Sequence, residues 1–337
     1  MPGAQERVLR RRIGSVQNTK KITRAMELIA ATRVVKAQGA ARDARPYAEH
    51  ITEVIRDLAA SGTASSHPLL REATGQGKVG IIVLSSDRGL AGAYNSSVIR
   101  AAEREIMAAR SEGRGYALVT VGRKAEGYFR FRNYDIAASY SGFTEKPSYE
   151  IAREIAARIV ELFHDDVDRI ELVYTRFISM GSQEVTVRRF LPLETIADET
   201  DAAESTKPSA AYEFEPSPAA VLEALLPRYV ESRLFAALLE GAASELSARQ
   251  RAMKAATDNA QELITKLSRK MNQARQDAIT TEIMEIISGA EALSADKGND
   301  EDLLLDHLSS EIFPQGNSQP HHHSRADAPL RSTGASS

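Results

Sequence analysis

Two stretches hold residues at spacings that could do chemistry. GQGKVG, Gly75 to Gly80, matches a dinucleotide-binding Gly-x-Gly-x-x-Gly pattern. That fingerprint needs a strand, then the loop, then a helix. Here it precedes its strand, KVGIIVLSS, so it reads as a linker. The second stretch, SSDRGLAGAYN from Ser85 to Asn95, does lie between a strand and a following helix, where a phosphate could meet a helix N-terminus. It lacks the Lys-Ser/Thr pair that engages a γ-phosphate and magnesium. Asp87, Arg88, Gly89, Gly92 and Asn95 are therefore expected to shape a structural loop, with the two glycines allowing tight turns and close approach. The histidines give no metal site: His321, His322 and His323 lie in a Pro/Ser/Gly-rich tail, and His50, His67, His164 and His307 are scattered. No Ser-His-Asp set and no convergent carboxylate pair can be assembled, so neither catalytic residue, metal nor cofactor is expected.

The elements around that loop fall into two kinds. Residues 78 to 195 alternate short branched-apolar runs with helical patterns. The expected strands are KVGIIVLSS, Tyr116 to Val121, RIELVYTRFIS and EVTVRRFLPL. Helices are expected from about Ser96 to Arg110, Gly122 to Phe131 and Ser148 to Phe163. This alternation predicts an α/β domain with a mostly parallel sheet and flanking helices.

The ends of the chain read as long helices. Between Leu246 and Leu293 there is no proline and only Gly289. Met253, Ala256, Ala260, Leu263 and Leu267 step by 3 and 4, and Ile279, Ile283, Ile286, Ala290 and Leu293 resume the pattern after a stutter, as in a coiled-coil seam. At 1.5 Å per residue, a helix over residues 217 to 295 would be about 110 Å long. The N-terminal partner runs from residue 4 to about 59, with Ile13, Val16, Ile22, Met26 and Ile29 as its apolar face and a kink or break expected near Arg45 because of Pro46. The expected organisation is an N-terminal coiled-coil helix over 1–60, an α/β domain over 61–215 with a mobile loop near 198–211, a C-terminal coiled-coil helix over 216–296, and an acidic, then disordered, extension over 297–337. The two long helices are expected to pair antiparallel.

Charge is nearly balanced, −3 over 337 residues, but uneven. Residues 1 to 45 hold eleven Lys/Arg against three Asp/Glu, whereas residues 296 to 337 hold seven Asp/Glu against three Lys/Arg. A basic helix can track nucleic acid. Here the cations flank an apolar seam with no interleaved aromatics for base stacking, so contacts with an acidic protein fit better. The chain has no cysteine, which fits a reducing compartment. It has no run near the roughly 18 apolar residues of a membrane span and no signal-peptide block. The arginine-rich start superficially suits a mitochondrial leader.

Three stretches in order together resemble one family, the gamma subunit of F-type ATP synthases of the bacterial type. RRIGSVQNTKKITRAMELIAATRVVKAQ, Arg11 to Gln38, resembles its N-terminal helix, and SSDRGLAGAYN its central loop. MKAATDNA, Met253 to Ala260, and ITTEIMEIISGA, Ile279 to Ala290, resemble its terminal helix. The likeness spans residues 3 to 296. It implies that the N-terminal helix is mature structure and not a leader.

The resemblance further implies a non-catalytic rotor: an asymmetric shaft inside three alpha and three beta subunits, with a foot that stands with the epsilon subunit on a membrane ring of c subunits. That would set the chain peripherally on the cytoplasmic face of the bacterial plasma membrane, coupling proton-driven rotation to ATP synthesis or the reverse. By position, Lys21, Arg24, Met26, Arg249, Gln276, Thr280 and Glu282 resemble contacts with the alpha/beta ring, with plain seam packing open for Met26. Tyr212 and Glu215 resemble foot positions facing the c ring or epsilon, with simple solvent exposure the alternative. Ile283, Ile286, Ile287 and Leu293 would form a tip turning in an apolar sleeve. Two features depart from the family: Ala91 stands where cysteine is frequent, and about 40 residues follow the usual end, where EDLLLDHLSSEIF could form a short helix. The competing reading is a coiled-coil scaffold bearing an α/β recognition domain; an α/β enzyme with a site near Asp87 to Asn95 is a third.

Overall fold

The computed structural model describes residues 3–58, 68–70, 73, 75–165, 167–193, 215 and 217–295. In chain order these form α1 (Gly3–Leu58), β1 (Lys78–Leu84), α2 (Tyr94–Ser111), β2 (Tyr116–Val121), α3 (Arg123–Phe131), β3 (Ala138–Tyr140), α4 (Tyr149–Asp165), β4 (Val167–Phe177), β5 (Gln183–Leu191) and α5 (Pro218–Ala295). They divide into two units, residues 9–269 and residues 1–8 with 270–337.

In the larger unit, one five-stranded sheet has the order β3-β2-β1-β4-β5. β1 pairs in parallel with β2 and β4, β2 in parallel with β3, and β5 antiparallel to β4. A mostly parallel sheet buries both faces, so its central strand must be apolar throughout. β1 is, from Val79 onward: Val79, Ile81 and Val83 point to a core with Val98, Ala102, Ile106 and Phe129 of α2 and α3. Ile82 and Leu84 point the other way, to Ile155, Ile159 and Phe163 of α4, Ile55 and Leu58 of α1, and Leu226 and Val230 of α5. Gly80 sits where β4 comes close, since a Cβ there would lie 2.8 Å from Ile170 Cγ1. β3 escapes the sequence reading because three residues cannot show an alternation; it exists through its pairing with Val119–Val121.

α1 does not end at Pro46. The helix continues through it to Leu58, although an interior proline costs about 3 kcal/mol. The burial of Ile51, Ile55 and Leu58 beyond it, at 6% exposure or less, offsets that cost.

The seam residues also need correcting. Ile22 and Ile29 are 61% and 54% exposed. The inward face of α1 is instead Ile13, Thr23, Glu27, Ala30 and Val34, with Val16 and Lys20 half-buried between them. This is a strict 3–4 spacing that half-buried Ala37, Ala41, Ala44 and Ala48 carry on to Ile51. In α5 the inward positions are Met253, Thr257, Ala260, Ile264 and Leu267, while Leu263 is 38% exposed. The same spacing continues without a slip through half-buried Met271, Ala274 and Ala278, so the expected stutter is not a feature of the inward face. Thr23 and Thr257 share a buried hydroxyl–hydroxyl hydrogen bond of 2.8 Å, and Lys20 Nζ donates to Gln261 Oε1 at 2.5 Å. Rising numbers on one helix meet falling numbers on the other, so the helices pair antiparallel. The seam is a heptad with polar layers, which a search for apolar residues alone misplaces.

Candidate functional site

The Ser85–Asn95 loop turns the chain from β1 into α2 and is fixed by its own side chains. Ser85 Oγ donates to the carbonyl oxygens of Val121 (2.9 Å) and Gly122 (3.2 Å) and accepts from the Ala125 amide. Asn95 Oδ1 accepts from the Ser86 amide, and Asn95 Nδ2 reaches Ser86 Oγ, both at 2.9 Å. The Asp87 carboxylate accepts from the amides of Gly142 (2.9 Å), Thr144 (3.1 Å) and Arg123 (3.2 Å) and from the Thr144 hydroxyl (2.9 Å). Burial pushes this carboxyl up, but those hydrogen bonds together outweigh it and hold Asp87 below the usual 3.8. A carboxylate saturated by four donors ties the loop to α3 and to residues 142–144; it is a poor base for an enzyme. The amides of Ser86 and Asp87 are likewise already spent on Asn95 and Thr144.

Leu90 and Gly92 take φ of +66° and +58°. Gly122, which the sequence reading took only as the start of a helix, is the tightest point. Its φ is +94°, and a Cβ would lie 2.4 Å from the Ser85 carbonyl oxygen. Its position directly after the buried end of β2 is the signal that marks it.

Next to this loop, five charged groups converge. Glu145, in the segment between β3 and α4, binds Arg33 of α1 in a short ion pair, Arg249 of α5 at 2.6 Å and Arg88 of the loop at 3.4 Å. Arg249 also lies 2.5 Å from Glu245, one helical turn earlier. That contact is an ion pair without hydrogen-bond geometry, and both Glu245 oxygens go without a donor among the described residues. Burial pushes the Glu245 carboxyl up and the neighbouring Glu145 adds to it, against the pull of Arg249, Arg88 and Arg33; the result is about 7. Arg249, expected at a partner surface, is thus corrected. Its side chain is 6% exposed and engaged within the chain, because a guanidinium can bridge two carboxylates where the helices and the body meet.

Of the other expected contacts, Lys21 and Arg24 are exposed and Met26 half-buried, with Arg24 paired to Glu27 at 2.8 Å. Gln276, Thr280 and Glu282 are exposed on α5, where the Thr280 hydroxyl donates to the Gln276 carbonyl oxygen. Ile283, Ile286, Ile287 and Leu293 are 48–72% exposed. An apolar patch of this kind marks an interaction surface. Glu215 is exposed. Tyr212, His67, His307, the His321–His323 run, the 198–211 loop and the tail after Ala295 lie outside the described residues. Among the described residues, no group of His, Asp and Glu is arranged to hold a metal ion, and no helix is long and apolar enough to cross a membrane.

Comparison with known proteins assigns the architecture. The chain matches the family model described as ATP synthase over residues 5–293. It is 51% identical to the ATP synthase gamma chain of Frankia casuarinae over 296 residues, 86% of this chain and 98% of that protein. It is 51% identical to that of Kineococcus radiotolerans, covering 86% and 97%, and 47% identical to that of Streptomyces coelicolor, covering 88% and 99%. Its fold is shared with a chain in the Euglena gracilis mitochondrial ATP synthase structure of OSCP, F1 and c-ring (TM-score 0.60, 19% identity, 89% of this chain and 98% of that one). It is also shared with one in the Tetrahymena thermophila central stalk and c-ring structure (TM-score 0.54, 22% identity, 70% and 99%). A mostly parallel sheet preceded and followed in the chain by long helices, and relatives at about half identity that the match spans almost end to end, lead to one conclusion: this chain belongs to the ATP synthase gamma chain family.

Proposed function

We propose that this chain is the rotor of an F-type ATP synthase, its long helices forming the central shaft and its α/β body the foot. The observation that carries the reading is the C-terminal part of α5, which presents Ile279, Ile283, Ile286, Ile287 and Leu293 to solvent. A solitary coiled-coil arm gains nothing from such a surface, whereas a shaft inside a collar of three alpha and three beta subunits does. Apolar contact there offers few hydrogen bonds to resist turning. One asymmetric rod in a threefold collar biases each beta subunit differently at every angle. Rotation driven by a c-ring is thereby exchanged for changes in nucleotide affinity, and the exchange runs equally in reverse.

Lys21, Arg24 and Met26 on α1, with Gln276, Thr280 and Glu282 on α5, supply the polar and bearing contacts to the alpha/beta ring. Their exposure in the free chain, Met26 being half-buried, supports that role. Glu215, which is exposed, contacts the epsilon subunit or the c-ring. The chain contributes no catalytic residue of its own; nucleotide chemistry belongs to the collar. It is held peripherally on the cytoplasmic face of the plasma membrane through the complex, and the bacterial sources of its relatives support this side.

The direct test is ATP hydrolysis by alpha and beta subunits from the same organism, with and without this chain. A stable complex with faster, cooperative turnover is expected. A chain that remains apart and leaves turnover unchanged would instead be a scaffold with a recognition domain. Deleting residues 298–337 is expected to leave assembly and turnover intact; loss of either would make that tail a functional element.

A further inference from the structure

Torque that enters at a foot must reach the shaft through side chains able to resist shear. Apolar contacts between an α/β body and a helix pair slide with little loss, because the same area stays buried. A charged pair held out of water behaves differently, since separating it leaves buried charge uncompensated. Arg249 with Glu145 is such a pair, at 6% and 20% exposure, whereas Arg33 and Arg88, 48% and 62% exposed, add weaker ties to the same carboxylate.

In residues 9–269 several polar ties join α5 to the body. Tyr94 donates to the Gly241 carbonyl oxygen at 3.2 Å, Ser244 to that of Thr175 at 3.0 Å, and Arg251 to that of Met180 at 2.5 Å. The first two each join α5 to one element of the body, and Arg251 also reaches Gln183, so its ties stay within the β4–β5 hairpin. Glu145 alone among these ties joins three: Arg33 on α1, Arg88 on the β1–α2 loop and Arg249 on α5. Its loop is anchored in turn, because Asp87 receives the amides of Gly142 and Thr144 immediately before it. Behind it Glu245, 3% exposed, holds the other side of Arg249.

We propose that Glu145 is the keystone of a shaft-to-foot clamp, a positioning residue that locks α1 and α5 to the α/β body so that rotation of one turns the other without slip. The inference rests on the rotor reading. It assigns coupling, as distinct from hydrolysis, to a residue that touches neither nucleotide nor proton path.

The test uses the whole enzyme in inverted membrane vesicles, measuring ATP hydrolysis and ATP-driven proton pumping side by side. Glu145→Gln keeps size and removes charge. Arg88→Gln, on a side chain 62% exposed, is a gentler second variant in case the first assembles poorly. Hydrolysis is expected to persist while protons pumped per ATP fall by about half for Glu145→Gln and less for Arg88→Gln, because the coupling free energy and not the chemistry is changed. Glu145→Gln combined with Arg33→Gln is expected to lose no more than Glu145→Gln alone, as groups in one interaction do. An unchanged pumping ratio would overturn the clamp, as would hydrolysis and pumping falling in proportion. If vesicles from which this chain has been removed hydrolyse and pump as well as wild-type vesicles, the rotor reading itself fails, and the clamp with it.

Discussion

At the scale of single residues, the central loop is controlled by a few backbone and carboxylate positions. Gly122 cannot accept a side chain: Gly122→Ala would drive Cβ into the Ser85 carbonyl at a φ that alanine avoids. A loss of several kcal/mol is expected, enough to prevent recovery of folded chain. Gly92→Ala is the control. Its φ of +58° lies in the left-handed region and its Cβ would find Ala252 at 3.8 Å, so a cost near 1 kcal/mol is expected in chemical denaturation. Equal effects from the two would contradict this account.

The two carboxylates respond to pH in opposite senses. Asp87 lies below its ordinary value in the folded chain, so it contributes stability above about pH 3.8 that is lost as pH falls through its folded value. Glu245 lies above its ordinary value, from 4.5 to about 7. The folded state therefore holds the extra proton, and stability drains away as pH rises across that window. The groups facing it are Arg249 on its own helix, Glu145, Arg88 and Arg33 from the segments packed against it, and the buried Tyr94 of α2. Glu245→Gln is expected to gain in melting temperature over wild type as pH goes from 5 to 8. A difference constant with pH would mean that Glu245 is ionised throughout. Resemblance marked the residues of the loop, but the partners of Asp87 lie more than thirty residues away. No local spacing reveals them.

At the scale of elements, the long helices show how a pattern can be right in period and wrong in face. The 3–4 repeat was legible, yet choosing apolar residues put Ile22, Ile29 and Leu263 inward. The chain instead buries Thr23, Glu27 and Thr257 and shows those apolar residues to solvent. The inversion has a physical reason: polar layers specify register within a helix pair. Each threonine also donates or shares a second bond, to the Lys20 and Met253 carbonyl oxygens. Thr23→Val is therefore expected to cost only about 1 kcal/mol, and Thr23→Val with Thr257→Val to recover most of it. A double variant markedly worse than the single would show that the hydroxyl pair is itself the stabilising contact. The sheet was more legible than the seam, because buried parallel strands announce themselves as apolar runs. Only β3 was too short to be seen.

At the scale of the whole molecule, the sequence motifs named the family before any geometry was available. They could not say that Arg249 turns inward. That placement depends on Glu145 arriving from a distant loop, and it sets the residue between the long helices and the α/β body. As a rotor, this chain turns inside a threefold collar. The chain has no cysteine, so Ser111→Cys at the exposed end of α2 offers a single attachment point for a probe. With the alpha/beta collar fixed to a surface and ATP supplied, the account predicts that a bead on this residue rotates in one direction with three equally spaced stops per turn. A bead that only fluctuates, while the same complexes hydrolyse ATP, would contradict it.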